Sequence, residues 1–274
     1  MSSHRPPARI TAPEIRACKG GRKIVSLTAH STPIAALLDS HCDLMLVGDS
    51  LGMVVHGLPT TVGVTLEMMI LHARAVMRGS RRALVAVDLP FGSYEASPRQ
   101  AFASASRVLR ETGCQAVKVE AGPFVAESIA FLTARGIPVI GHVGLRPQAA
   151  HADGGFKVKG RTTMERDRVI AEARAADEAG AFCLVVEGVT PDVADEVTRA
   201  VGCPTIGIGA SPSCDGQVLV TEDLLGLFEW SPKFVRRYAD MRGIVESAAS
   251  AFARDVHDGT FPGAAELYTV RVGS

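Results

Sequence analysis

Short apolar runs alternate along the chain with stretches whose apolar residues recur every three or four positions. The runs fall at 24–28, 44–48, 84–87, 116–119, 138–142, 183–186 and 205–208, with a weaker eighth at 217–220. Apolar runs of about four to eight residues, bounded by polar or turn residues, read as strands buried on both faces, the habit of a parallel sheet. Between the second and third runs, Thr65 can cap a helix that carries Leu66, Met69, Ile70, Ala73, Val76 and Met77 at helical spacing and stops at Gly79. The segments 101–111, 124–134, 166–178 and 191–200 repeat that pattern. A capping box, Thr11 with Glu14, opens a short helix that ends near Lys19-Gly20-Gly21. From about residue 232 the chain is expected to turn helical, then to finish in a turn-rich tail around 258–263.

Alternating β and α elements with no proline-rich linker predict a single parallel α/β domain. Seven or eight such units in this length favour a (β/α)8 barrel, the TIM-barrel architecture, over an open sheet. The expected boundaries are a disordered lead-in over 1–9, a barrel over 10–262 and a tail over 263–274.

Composition narrows the classes of function. Lys+Arg 29 balance Asp+Glu 29, and neither a basic stripe nor a like-charge block stands out, which speaks against nucleic acid and anionic membrane as partners. The six cysteines (Cys18, Cys42, Cys114, Cys183, Cys203 and Cys214) are scattered without a C-x-x-C pair. They read as reduced packing residues of a cytoplasmic protein, not as a disulfide framework or zinc site. No apolar stretch is long enough to span a bilayer, and the first seven residues lack the apolar core of a signal peptide. Small-molecule chemistry remains.

The candidates for that chemistry stand at the ends of the apolar runs: Asp49 and Ser50, Asp88, Lys118 and Glu120, His142, and Glu187. In a barrel the carboxyl ends of the strands form the active rim. Taken singly, a strand-end Asp or Glu can serve only to cap the helix that follows. Taken together, Asp49, Asp88 and Glu120 converge on one rim, and a divalent cation held by oxygen ligands answers their mutual repulsion. Lys118 and Glu120, two apart on a strand, share a face; Lys118 is either the ion-pair partner of Glu120 or the holder of an anionic substrate group. His142 is either a hydrogen-bonded core histidine or part of the site. Glu187 is either a helix cap or the general base, a role that burial beside apolar walls would favour by raising its pKa. The loop 154–161, with Lys157, Lys159 and Arg161 among glycines, is either a solvated loop or a lid that meets an anion. The glycine-rich stretch 206–211 lets backbone approach a ligand but lacks the spacing of a dinucleotide fingerprint.

The strings Val47-Gly48-Asp49-Ser50-Leu51-Gly52-Met53, Asp88-Leu89-Pro90-Phe91, Val117-Lys118-Val119-Glu120, Gly141-His142-Val143-Gly144-Leu145 and Gly207-Ile208-Gly209-Ala210 occur in this order. With Asp215-Gly216-Gln217-Val218-Leu219-Val220 and Pro232-Lys233-Phe234-Val235-Arg236-Arg237-Tyr238 they resemble the ketopantoate hydroxymethyltransferase family over nearly the whole chain. The resemblance implies a barrel of the phosphoenolpyruvate/pyruvate superfamily, assembled as a homo-oligomer, usually a decamer. It implies transfer of a hydroxymethyl unit from 5,10-methylenetetrahydrofolate, the co-substrate, to 3-methyl-2-oxobutanoate. The product is 2-dehydropantoate, on the route to pantothenate and coenzyme A. It also implies Mg2+ among Asp49, Asp88 and Glu120, an oxo-acid site made by Ser50, Lys118 and His142 together with Asp49 and Asp88, and Glu187 as proton acceptor. A 2-oxo acid can chelate Mg2+, whose Lewis acidity would stabilise the enolate.

Departures from the family pattern fall on rim loops: His30-Ser31 after the first strand, Arg146 before Pro147-Gln148, and Ser211-Pro212 after Gly209-Ala210. They spare the inferred metal set. They leave open a diverged paralogue acting on another 2-oxo acid and a non-catalytic barrel. A carbon–carbon lyase of the same superfamily is a further alternative, against which the absence of its Lys-x-Cys-Gly-His string argues.

Overall fold

The apolar runs become eight parallel strands that close on themselves in sequence order: β1 (Ile24–Thr28), β2 (Leu44–Val47), β3 (Leu84–Asp88), β4 (Ala116–Glu120), β5 (Val139–Gly144), β6 (Cys183–Glu187), β7 (Thr205–Ile208) and β8 (Gly216–Leu219). The structure, a computed structural model, describes residues 9–122 and 124–268. The expected lead-in, apart from Arg9, and the expected tail beyond residue 268 lie outside them.

Two apolar clusters explain why both faces of each strand are apolar. Met45 and Val47, Val85 and Val87, Val117 and Val119, and Leu184 and Val186 pack with helix residues such as Met69, Ala73, Val108 and Ile129. The alternate residues Leu44 and Leu46, Leu84 and Ala86, Ala116, Ile140, Cys183 and Val185 meet one another inside the barrel, where Ile15 of the helix Ala12–Arg16 joins them. With a side-chain period of two, Asp88, Lys118, Glu120, His142 and Glu187 continue the inner columns beyond the apolar layers. Register then sets them side by side, with Asp88 beside Lys118, Glu120 beside His142, and Gly144 beside Glu187.

The helices expected from spacing are present at Leu66–Gly79, Pro98–Thr112, Val125–Thr133, Thr163–Glu178 and Pro191–Ala200. Thr65, Ser97 and Thr162 accept hydrogen bonds from first-turn amides of three of them. Two local expectations change. Helix Thr32–Leu38 follows β1, too short to give a periodic signal but opened by a proline in its first turn. The late helix begins at Met241, not near residue 232, because Asp240 caps it by accepting from the Gly243 amide at 3.2 Å.

By internal contacts the chain divides into two units, Met1–Thr221, which contains all eight strands, and Glu222–Ser274. In the second unit, helix Met241–His257 has no buried residue, and Ile244, Val245, Phe252 and Val256 are exposed along it. Among the described residues no helix is long and apolar enough to cross a membrane.

Candidate active site

The ionisable residues at the strand ends form one row, buried from Asp88 to His142 and partly open at Glu187. Lys118 Nζ on β4 lies 3.0 Å from Asp88 Oδ1 on β3 and 3.4 Å from His142 Nδ1 on β5. His142 Nε2 lies 3.3 Å from Glu187 Oε2 on β6. An ammonium only donates, so Nδ1 of a neutral His142 accepts from Lys118 and the ring hydrogen sits on Nε2, beside Glu187 but not aligned in a hydrogen bond with it. Burial, followed by the charge of Lys118, lowers the pKa of His142 and keeps the ring neutral. Lys118 is therefore the partner of Asp88, not of Glu120. Burial alone would lower its pKa, but Asp88, Asp49 and Glu120 outweigh burial and raise it, so the ammonium persists.

Asp49 stands in the loop after β2, and its amide donates to Asp88 Oδ2 at 3.0 Å. A Cβ built at Gly48 would stand 3.0 Å from Ser50 Oγ and 3.7 Å from Asp88 Oδ2. Ser50 and Asp88 thus come together over a position with little room for a side chain. None of the strand-end acids caps the helix that follows: Ser97 caps Pro98–Thr112, while Ser50 and Thr190 occupy the cap positions after Asp49 and Glu187. Glu187 is less buried than the sequence suggests, its side chain keeping 20% exposure against 2% for His142.

Two residues that sequence reasoning did not single out hold the cluster together. Gln148 Nε2 donates to Asp49 Oδ2 at 2.8 Å and to the Leu89 carbonyl at 2.9 Å. Its backbone amide lies 3.2 Å from Glu120 Oε2, and its side-chain oxygen accepts from the Tyr94 hydroxyl at 2.7 Å. Tyr94 Oη in turn accepts from the Glu120 amide at 3.2 Å. The signals available were a Pro-Gln step just past the His142 rim and a tyrosine four residues after Pro90, neither of which has a diagnostic spacing.

Asp88, Asp49 and Glu120 thus act together on one ammonium, and Glu187 stands on the far side of His142. Burial, then the charge of Asp88, pushes the Asp49 carboxyl up to about 7. Burial, then Asp49, pushes Glu120 well above the usual carboxylate range. Among the described residues, no three His, Cys, Asp or Glu side chains stand as a ready-made metal cage. The donor set nevertheless fits Mg2+: it consists of buried oxygens with an excess of negative charge, and that ion keeps several waters and few direct carboxylates.

The remaining rim candidates have partners of their own. Lys159 pairs with Asp153 at 2.9 Å, and its amide bonds to Gly188 O at 2.9 Å, which ties the loop 154–161 beside Glu187. Ser211 Oγ donates to Asp195. His30 is buried, its carbonyl 2.7 Å from His72 Nδ1, and His72 Nε2 lies 2.9 Å from His56 Nε2. Arg146 Nη1 donates to Ala121 O at 3.1 Å.

Comparison with known proteins adds independent support. The sequence profile of a family described as ketopantoate hydroxymethyltransferase matches residues 9–264. The chain is 63% identical, over 99% of its length and 98% of the relative's, to a protein of Hyphomonas neptunium named 3-methyl-2-oxobutanoate hydroxymethyltransferase. It is 64% identical, over 96% and 94% respectively, to one of the same name from Maricaulis maris. Among solved structures, phosphonopyruvate hydrolase in complex with oxalate and Mg++ aligns at a TM-score of 0.58 and 17% identity, covering 95% of this chain and 92% of that one. A likeness at that identity speaks to the fold alone.

Proposed function

The chain belongs to the ketopantoate hydroxymethyltransferase family, and from that premise we propose that it transfers a hydroxymethyl unit to 3-methyl-2-oxobutanoate, giving 2-dehydropantoate for pantothenate and coenzyme A synthesis. The one-carbon donor is 5,10-methylenetetrahydrofolate, with water supplying the hydroxyl. The observation that carries this reading is the row Asp88–Lys118–His142–Glu187 set beside Asp49 and Glu120 at the carboxyl ends of the strands.

Asp49, Asp88 and Glu120 would hold Mg2+, in a shell completed by water. When bound, the ion supplies a Lewis acid for the oxo acid. The residues of the chain do the rest. Ser50 and Lys118 bind the oxo acid, the ammonium neutralising its carboxylate. Glu187 takes that proton. His142, fixed in its tautomer by Lys118, keeps Nε2 within 3.3 Å of Glu187, close enough to steady the carboxylate once substrate is bound. The low polarity around the row strengthens each of these interactions. The deprotonated carbon then attacks the one-carbon unit.

We also infer that copies of the chain associate, as decamers, in the cytoplasm. The exposed Ile244, Val245, Phe252 and Val256 support association, and six unpaired, buried cysteines suit a reducing compartment.

The test is direct. Purified protein with Mg2+, 3-methyl-2-oxobutanoate and 5,10-methylenetetrahydrofolate should form 2-dehydropantoate, followed by NMR, and formation should stop with a chelator. Turnover of another 2-oxo acid in its place would identify a diverged paralogue.

A further inference from the structure

A cavity of about 480 Å3, within the range of small-molecule sites, has Glu120 and Gln148 in its wall. Phe91, Tyr94 and Phe124 line it as well, and residues Phe91 and Phe124 are 49% and 83% exposed. Arg146 is also in the lining. Its guanidinium bonds Ala121 O, and among the described residues no carboxylate lies within ion-pair distance of it. Arg168, the other guanidinium of the lining, is engaged with Glu172 at 2.9 Å. A guanidinium offers five N–H donors in a planar fork that matches a carboxylate, so most of the Arg146 fork is left for a ligand.

We propose that this cavity receives the folate co-substrate and that Arg146 holds a carboxylate of its glutamate tail; this rests on the transfer reading above. The oxo acid is a poor occupant for two reasons. It has no aromatic ring for Phe91 and Phe124, and its carboxylate already has Lys118 inside the barrel. A pterin-bearing donor has both a flat ring for the aromatic wall and carboxylates for the fork. Glu120 in the same wall places the one-carbon end beside the oxo-acid site.

The test is calorimetric binding of tetrahydrofolate and of tetrahydropteroate, which has the same ring system without glutamate, to the wild type, Arg146→Gln and Arg146→Lys. The wild type should prefer tetrahydrofolate by about ten- to a hundred-fold, the range of a charge-assisted bond. Arg146→Gln should bind both ligands alike, at the level of wild-type tetrahydropteroate, and Arg146→Lys should recover part of the preference. Equal weakening of both ligands by Arg146→Gln would overturn the assignment, as would an unchanged preference. Absence of any 2-dehydropantoate from the wild type with full substrates is a separate failure, that of the transfer reading itself.

Discussion

Gln148 binds Asp49 through its side-chain amide at 2.8 Å, and so ties the loop after β5 to the loop after β2 across the mouth of the barrel. The same side chain receives the Tyr94 hydroxyl at 2.7 Å, and its backbone amide contacts Glu120. One uncharged residue thus orients two carboxylates of the proposed Mg2+ site. Outer partners of this kind typically carry about ten- to a hundred-fold of metal affinity or activity.

Replacing Gln148 by Leu should therefore raise the Mg2+ concentration for half-maximal activity by about that factor. Glu120 should keep its contact, which comes from backbone. The Tyr94 hydroxyl would lose a buried acceptor, at a cost of about 1–3 kcal/mol in stability. A Mg2+ titration checks this, and an unchanged half-saturation would remove Gln148 from the site.

The pair Asp88–Lys118, at 3.0 Å with side-chain exposures of 3% and 6%, links stability to activity. Asp88→Ala should abolish turnover and also cost about 3–5 kcal/mol, because an ammonium is left buried without its partner. Adding Lys118→Met should return much of the stability and none of the turnover. Urea unfolding of the single and double variants decides the point; equal stability of Asp88→Ala and wild type would contradict it.

Acid should destabilise the fold through His30. Burial, then the charges of His72 and His56, lowers its pKa from 6.5 to about 3. The unfolded chain therefore takes up a proton that the folded chain refuses, and stability falls as pH drops from about 6.5 toward about 3. The loss should approach about 1.4 kcal/mol per pH unit between pH 5 and 4. Urea midpoints of wild type and His30→Asn across that range should diverge with this slope in the wild type; parallel curves would contradict the assignment.

The barrel was legible in the sequence because strands buried on both faces are apolar at nearly every position, and the candidate acids stand where those runs stop. Asp88, Lys118, Glu120, His142 and Glu187 fall on the inner columns by simple parity with Ala86, Ala116, Ile140 and Val185. The partner of Lys118 was not legible. Spacing within a strand ties Lys118 to Glu120, whereas register between β3 and β4 sets it beside Asp88. Gln148 and Tyr94 escaped for a related reason: one sits in a single 3-10 turn, Pro147–Ala149, and the other in a loop, too short or irregular for periodicity or charge to mark a buried polar side chain. The start of the last helix depended on a cap at Asp240 that apolar patterning does not register.

The central claim is that Glu187, steadied by His142, removes a proton from the oxo acid. It is tested most directly by Mg2+-dependent proton–deuterium exchange at the third carbon of 3-methyl-2-oxobutanoate without folate, followed by NMR in wild type and Glu187→Gln. The predicted result is metal-dependent exchange in the wild type and its loss in Glu187→Gln, with oxo-acid binding retained. Exchange at the wild-type rate in Glu187→Gln would dismiss Glu187 as the base.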